Sequence, residues 1–201
     1  MGQDVTMSAP LMLTERDALI MVDTQVDFCP GGALPVAGGN AVVRVFNRLS
    51  PHFATVVATK DWHPADHCSF VAHGGIWPPH CVQGTLGAHY HPDLDTSRVN
   101  LHIIKAHTAD RESFDNFDGE PELAPALRER GVERVFIGGL ATDYCVLNTV
   151  LSALRHGFET YAVTDAMRAV EVHPGDGERA LVQMRQAGAM LVTSADLLAA
   201  P

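Results

Sequence analysis

Apolar residues gather in short runs at 18–22, 55–59, 101–104, 135–137, 160–163 and 190–192, each bounded by polar or turn-forming positions. Between them, residues 41–49, about 122–130, 146–156 and 176–187 repeat apolar positions with a helical period. Strand-length runs alternating with helical stretches predict a parallel sheet covered on both faces. Gly131, Gly157 and Gly188 follow three of the helical stretches, where glycine accepts the left-handed conformation that closes a helix. Pro121 and Pro125 confine the start of the second helix, because proline is tolerated only where an N–H is already unpaired. The pattern predicts an α/β fold: a three-layer, doubly wound sheet of about six mostly parallel strands with helices on both faces. Such sheets bind ligands beyond the carboxyl ends of their strands.

Those ends carry chemistry. The first run stops at Asp23, the second at Lys60-Asp61 and the third at Lys105. The fourth enters Gly138-Gly139-Leu140-Ala141-Thr142-Asp143-Tyr144-Cys145, which reads as strand, tight turn and helix with a cysteine at the helix start. A thiol there feels unpaired N–H groups and the positive end of the helix dipole. Cys145 is then either a small buried hydrophobe or a nucleophile. Singly, Asp23 could cap a turn and Lys105 mark a sheet edge. Together, an acid, a cation favouring thiolate and a cysteine are the parts of an activated nucleophile.

Residues 61–100 show little periodicity and are too long for an idle connection, so a functional loop is expected. His63, His67, His73, His80, His89 and His91 lie in it with Trp62 and Trp77. Asp61 and His63, two apart, share a face on an extended segment, as metal ligation requires, and His67 and His80 could complete the shell. Carboxylate with imidazole suits one divalent ion, Zn, Fe(II) or Mn(II).

Composition narrows the partners. The 201 residues fit one domain, 1–201, with no linker; 46% are hydrophobic and 19% charged. A formal charge of −10 opposes nucleic acid, and no apolar run is long enough to span a membrane. Residues 1–16 lack a basic start and an apolar segment, so they read as a loose tail rather than a secretory signal. Cys29, Cys68, Cys81 and Cys145 form no C-x-x-C pair, which points to a reducing cytoplasm. No glycine-rich phosphate motif is present.

The stretches Asp23-Thr-Gln-Val-Asp-Phe28-Cys-Pro-Gly-Gly-Ala-Leu34, Ala58-Thr-Lys-Asp61-Trp-His63-Pro, His67-Cys-Ser-Phe70, Trp77-Pro-Pro-His80-Cys, Lys105 and Gly139-Leu-Ala-Thr-Asp-Tyr-Cys145-Val occur in order over nearly the whole chain. In these the sequence resembles the nicotinamidase (pyrazinamidase) family of the isochorismatase-like cysteine hydrolases. The resemblance implies hydrolysis of a small amide, nicotinamide, to nicotinate and ammonia through a thioester. Cys145 would be the nucleophile, Asp23 the proton acceptor and donor, and Lys105 their partner. It also implies a metal on Asp61, His63 and His80, with His67 as a frequent fourth ligand. Leu140-Ala141 would be a cis peptide, the Ala141 and Cys145 N–H groups would form the oxyanion site, and Phe28, Trp77 and Tyr144 would line the ring pocket. Val26, Ala106 and Phe114 depart from the family's common asparagine, glycine and tyrosine. Self-association into a homo-oligomer stays open, as do two other readings: a metal-free amidase of the superfamily acting on ureido, carbamoyl or aliphatic amides, and a non-catalytic metal-binding protein.

Overall fold

The computed structural model describes residues 11–198. Strand β1 (Asp17–Val22) is buried along its whole length. It pairs with β2 (Thr55–Asp61) on one side and β4 (Arg134–Leu140) on the other. Ala18, Ile20 and Val22 pack into the core on one face and Leu19 and Met21 into that on the other, which is why the strand reads as an unbroken apolar run. Strand β3 (Leu101–Lys105) lies beyond β2, and β5 (Glu159–Arg168) and β6 (Met190–Val192) lie beyond β4. The sheet order is β3-β2-β1-β4-β5-β6, with every pairing parallel.

Alternation along the strands divides the core in two. Helices α1 (Ala41–Leu49) and α5 (Ser194–Leu198) cover one face, where Phe46, Leu49 and Leu197 share a cluster with Leu19, Met21 and Phe136. Helices α2 (Leu123–Glu129), α3 (Leu147–Arg155) and α4 (Asp176–Ala187) cover the other, where Leu127, Val150 and Met184 meet Ile20, Val22 and Ile137. Each such side chain contributes about 1.5–3 kcal/mol by leaving water. Gly131, Gly157 and Gly188 take the left-handed conformation expected of them.

Three details differ from expectation. Strand β5 continues to Arg168 past the polar Thr164-Asp165, and its register with β4 shifts between Ile137 and Gly139. Helix α5 is too short to show a period, but its start is held by Thr193, whose N–H and hydroxyl both donate to Asp196 Oδ2 at 2.7 Å. Residues 11–16 are tied down rather than loose: Arg134 donates to the Met12 carbonyl at 2.7 Å, and Leu11 and Leu13 pack on the α1 face. Residues 1–10 of the expected tail lie outside the described residues. No helix among the described residues is long and apolar enough to cross a membrane.

Candidate active site

The chain order reverses direction across the sheet at β1, which has β2 on one side and β4 on the other, so the crevice between β1 and β4 is the natural ligand site. Asp23 leaves β1 with φ of +44°, a left-handed value that aspartate tolerates better than most residues. Cys145 leaves β4 on a single wide π-helical turn, Thr142–Val146, before α3 begins. The Tyr144 and Val146 N–H groups both donate to the Ala141 carbonyl, at 3.1 and 3.0 Å. The Leu140–Ala141 peptide is cis.

Lys105, completely buried at the end of β3, brings the strand ends together. Its Nζ lies 3.1 Å from Asp23 Oδ2, donates to Asp61 Oδ1, and lies 3.3 Å from Cys145 Sγ. An oxygen of Asp23, one of Asp61 and the sulfur all fall within 4.8 Å of one another. Burial works against the ammonium, yet Asp23 and Asp61 hold its pKa well above the ordinary lysine value. Burial raises Asp23 above the usual carboxylate range, against the pull of Lys105.

The expected pull of the lysine toward thiolate is present but opposed. Burial pushes the Cys145 thiol well up, Lys105 opposes this, and Asp23 and Asp61 add to it. One cation already faces two carboxylates, so ionising the thiol would add a second uncompensated negative charge in a dry site. A carboxylate oxygen of Asp23 lies within 4.8 Å of the sulfur, placed to take its proton.

Asp61, His63 and His80 offer ligand atoms within 4.8 Å of one another, and all three residues are buried. His63 Nδ1 lies 3.0 Å from the His80 carbonyl, and His80 Nδ1 lies 2.8 Å from the Pro78 carbonyl. A carbonyl accepts only, so each ring carries a proton on Nδ1, which leaves Nε2 as the nitrogen that can serve as a ligand. His63 Nε2 is buried without a hydrogen-bond partner, 4.0 Å from Asp61 Oδ1. An orphaned imidazole nitrogen aimed at a carboxylate fits a divalent cation, with both rings oriented by backbone carbonyls. His67 stands beside this trio, with ligand atoms of His63, His67 and Glu112 also within 4.8 Å of one another. Its Nδ1 meets Ser69 Oγ at 2.7 Å and its Nε2 meets the Arg111 carbonyl at 3.1 Å, so both nitrogens are engaged.

A narrow pocket opens onto Cys145 and Ala141 on one side and onto Asp61, His63 and His80 on another. Phe28, Trp77, Tyr144 and Phe114 supply its aromatic walls. Trp77 stands edge-on to Tyr144 at 5.1 Å. Asp23 and Lys105 lie beneath the thiol and do not line the pocket.

Sequence reasoning missed several contributors. Gln25 grips Asp61 through both groups of its amide, accepting from the Asp61 N–H and donating to its carbonyl, each at 2.8 Å. Asp27 accepts from Cys81 N–H at 2.7 Å and Ala33 N–H at 3.0 Å, tying the His80 turn to the Phe28 loop. Phe70 packs edge-on against His63, His67 and His80. Glu112, Leu34 and Val170 complete the pocket wall. Gln25 and Asp27 follow the first acid at the short spacings of a structured turn, a signal that pointed to geometry rather than to contacts.

Comparison with known proteins follows the same lines. The model of the isochorismatase domain matches residues 17–196. The chain is 38% identical to the nicotinamidase of Escherichia coli (strain K12), over 89% of this chain and 95% of that one. It is 43% identical to the nicotinamidase/pyrazinamidase of Mycobacterium tuberculosis, over 88% and 98%. The structure of PnC1 from L. infantum in complex with nicotinate superposes with a TM-score of 0.88 at 39% identity, covering 94% of this chain and 99% of that one. Pyrazinamidase of Pyrococcus horikoshii in complex with zinc gives a TM-score of 0.81 at 45% identity, over 89% and 99%. The chain belongs to the isochorismatase domain family and, within it, to the nicotinamidases.

Proposed function

We propose that this protein hydrolyses nicotinamide, and pyrazinamide with it, to the carboxylic acid and ammonia through a thioester on Cys145. The observation that carries the reading is one pocket shared by a buried thiol, backed by an acid and a lysine, and a carboxylate–imidazole trio. The thiol proton passes to Asp23 as sulfur attacks the amide carbon, and the Ala141 and Cys145 N–H groups stabilise the oxyanion. Asp23 returns the proton to the departing nitrogen and ammonia leaves. Asp23 then takes a proton from water as the water oxygen attacks the thioester carbon, and returns that proton to the sulfur as the C–S bond breaks and the acid is released. Lys105 keeps its charge throughout and holds Asp23 against the sulfur.

Asp61, His63 and His80 would hold the divalent ion, for which zinc is our choice. Bound there, it supplies a Lewis acid for the pyridine nitrogen. Phe28, Trp77 and Tyr144 pack on the ring and exclude water. We place the enzyme in the cytoplasm, where its thiol stays reduced and nicotinate enters pyridine-nucleotide salvage.

Ammonia release from nicotinamide, with and without chelator, tests the proposal. Cys145→Ala should abolish turnover with the fold intact. His80→Ala should lose both bound metal and turnover, yet leave Cys145 open to alkylation by a small reagent. Benzamide, which lacks the ring nitrogen, should be a poor substrate, because a site built for a polar contact rejects the analogue without it by large factors. Comparable turnover of benzamide and nicotinamide, or a fully active metal-free His80→Ala enzyme, would move the assignment to a metal-free amidase.

A further inference from the structure

We propose that Thr59 is a positioning residue for the proton transfers, holding Asp23 so that one carboxylate oxygen is permanently occupied and the other alone serves Cys145. The inference rests on the reading of Asp23 as the proton carrier and assigns a role to a side chain that touches neither substrate nor metal trio.

Thr59 lies inside β2, completely buried, with its side chain toward the end of β1. Its hydroxyl makes two bonds to the same residue. It accepts from the Asp23 N–H at 3.0 Å and donates to Asp23 Oδ1 at 2.5 Å. A hydroxyl has a single proton, and this one is committed to Oδ1. The two Asp23 oxygens are therefore unequal. Oδ1 takes the bond from the Thr59 hydroxyl, whereas Oδ2 lies in ionic contact with Lys105 Nζ at 3.1 Å and accepts no directed hydrogen bond. The unbonded oxygen is the one beside the ammonium that also touches the sulfur.

The backbone bond matters as much. Asp23 turns out of β1 at φ of +44°, a conformation that persists only where its surroundings enforce it. The N–H bond to Thr59 is one such constraint, and it fixes the direction in which the carboxylate leaves the strand. Without the hydroxyl, Oδ1 would be a buried acceptor without a partner. Lys105 already lies 3.1 Å from Oδ2, and a carboxylate turned to meet it with both oxygens would present neither to the thiol. The pull of Thr59 on the acidity of Asp23 has the same origin, a bond to its charged form.

The test compares Thr59→Val, which keeps the branched shape, with Thr59→Ser, which keeps the hydroxyl. Thr59→Val should lower kcat for nicotinamide by about 30- to 100-fold, the scale of a misplaced acid–base group, and leave KM within about twofold. Thr59→Ser should recover kcat to within about threefold of the parent. A purely structural role predicts the opposite: loss tracking thermal stability, with no rescue specific to the hydroxyl. Equal kcat in Thr59→Val and parent, or failure of Thr59→Ser to recover, overturns the proposal. Should Thr59→Val not fold, Thr59→Ala takes its place beside Thr59→Ser under the same criteria. Parent enzyme assayed alongside separates the two ideas, since an inactive parent would refute the nicotinamide reading and not the role of Thr59.

Discussion

Lys105 is the residue whose environment most constrains the chemistry. An isolated ammonium in a dry interior would lose its charge, but two carboxylates at contact distance hold it. Removing one partner of such a pair leaves an uncompensated buried charge and typically costs about 3–5 kcal/mol. Lys105→Ala should therefore lower stability by that order as well as slow turnover by at least ~100-fold. Asp23→Asn should slow turnover comparably, since an amide cannot carry the proton, with stability less affected because Asp61 still faces the ammonium. Urea titration beside steady-state kinetics checks both variants, and normal turnover in either would mean that the cluster is misassigned. The residue types at these strand ends were legible because short apolar runs show where strands stop, and because Asp61 and His63 stand at ligand spacing. The upward push on the Cys145 thiol was not legible. Its acidity depends on Asp61 turning toward Lys105 as well as toward the histidines, a tertiary fact. The engagement of His67 was hidden for a similar reason, since one of its partners is a backbone carbonyl 44 residues away.

At the scale of elements, the ends of the strands matter more than their middles. Among the described residues, four non-glycine positions have positive φ, Asp23, Cys81, Ala106 and Glu171, and each is a site residue or its immediate neighbour. Cys81 follows His80, Ala106 follows Lys105, and Glu171 follows Val170. These sharp exits turn functional side chains into one crevice. Gly139 makes a tight approach between the two central strands: its φ is +128°, and a Cβ there would stand 2.0 Å from the Val22 carbonyl oxygen. Gly139→Ala should therefore force β4 away from β1 just before both strands deliver Cys145 and Asp23. We expect destabilisation above about 3 kcal/mol, with turnover falling by more than the loss of folded protein explains. Urea midpoints and activity per folded molecule test it, and a variant of parental stability would show that β1 and β4 yield more than their contact implies. Six strands and four helices were readable because parallel strands buried on both faces leave unbroken apolar runs between periodic helices. The tail of β5 and helix α5 were not, because polar residues interrupt the first and the second is barely one turn long. The segment between β2 and β3 brings His63 and His80 to Asp61, on a path held by side-chain bonds from Asp27 and Gln25 that have no periodic signature.

For the whole molecule, the metal trio couples stability to pH. His63 is pushed down to about 4 from an ordinary 6.5, chiefly by burial, with Asp61 working against the shift and His80 adding to it. The direction of the linkage follows from which state takes up the proton first. As pH falls below about 6.5 the unfolded chain protonates this imidazole, whereas the folded protein keeps it neutral until about 4. Stability is then fully present above pH 6.5 and is lost progressively as pH falls toward 4. A shift of that size corresponds to at most about 3 kcal/mol, a large share of a typical domain's total. A divalent ion needs the same lone pair, so the stabilisation it adds by binding the folded state should shrink over the same interval. Urea unfolding at pH 7 and pH 5 should show a lower midpoint at pH 5 for chelated protein, and a midpoint raised by zinc at pH 7 but much less at pH 5. His63→Gln, which has no proton to take up in this range, should remove most of the slope in the chelated protein together with the zinc effect. A chelated parent whose midpoint is unchanged between the two pH values would show that the buried imidazole is not held neutral, and with it that the trio is not arranged as a ligand set waiting for a cation.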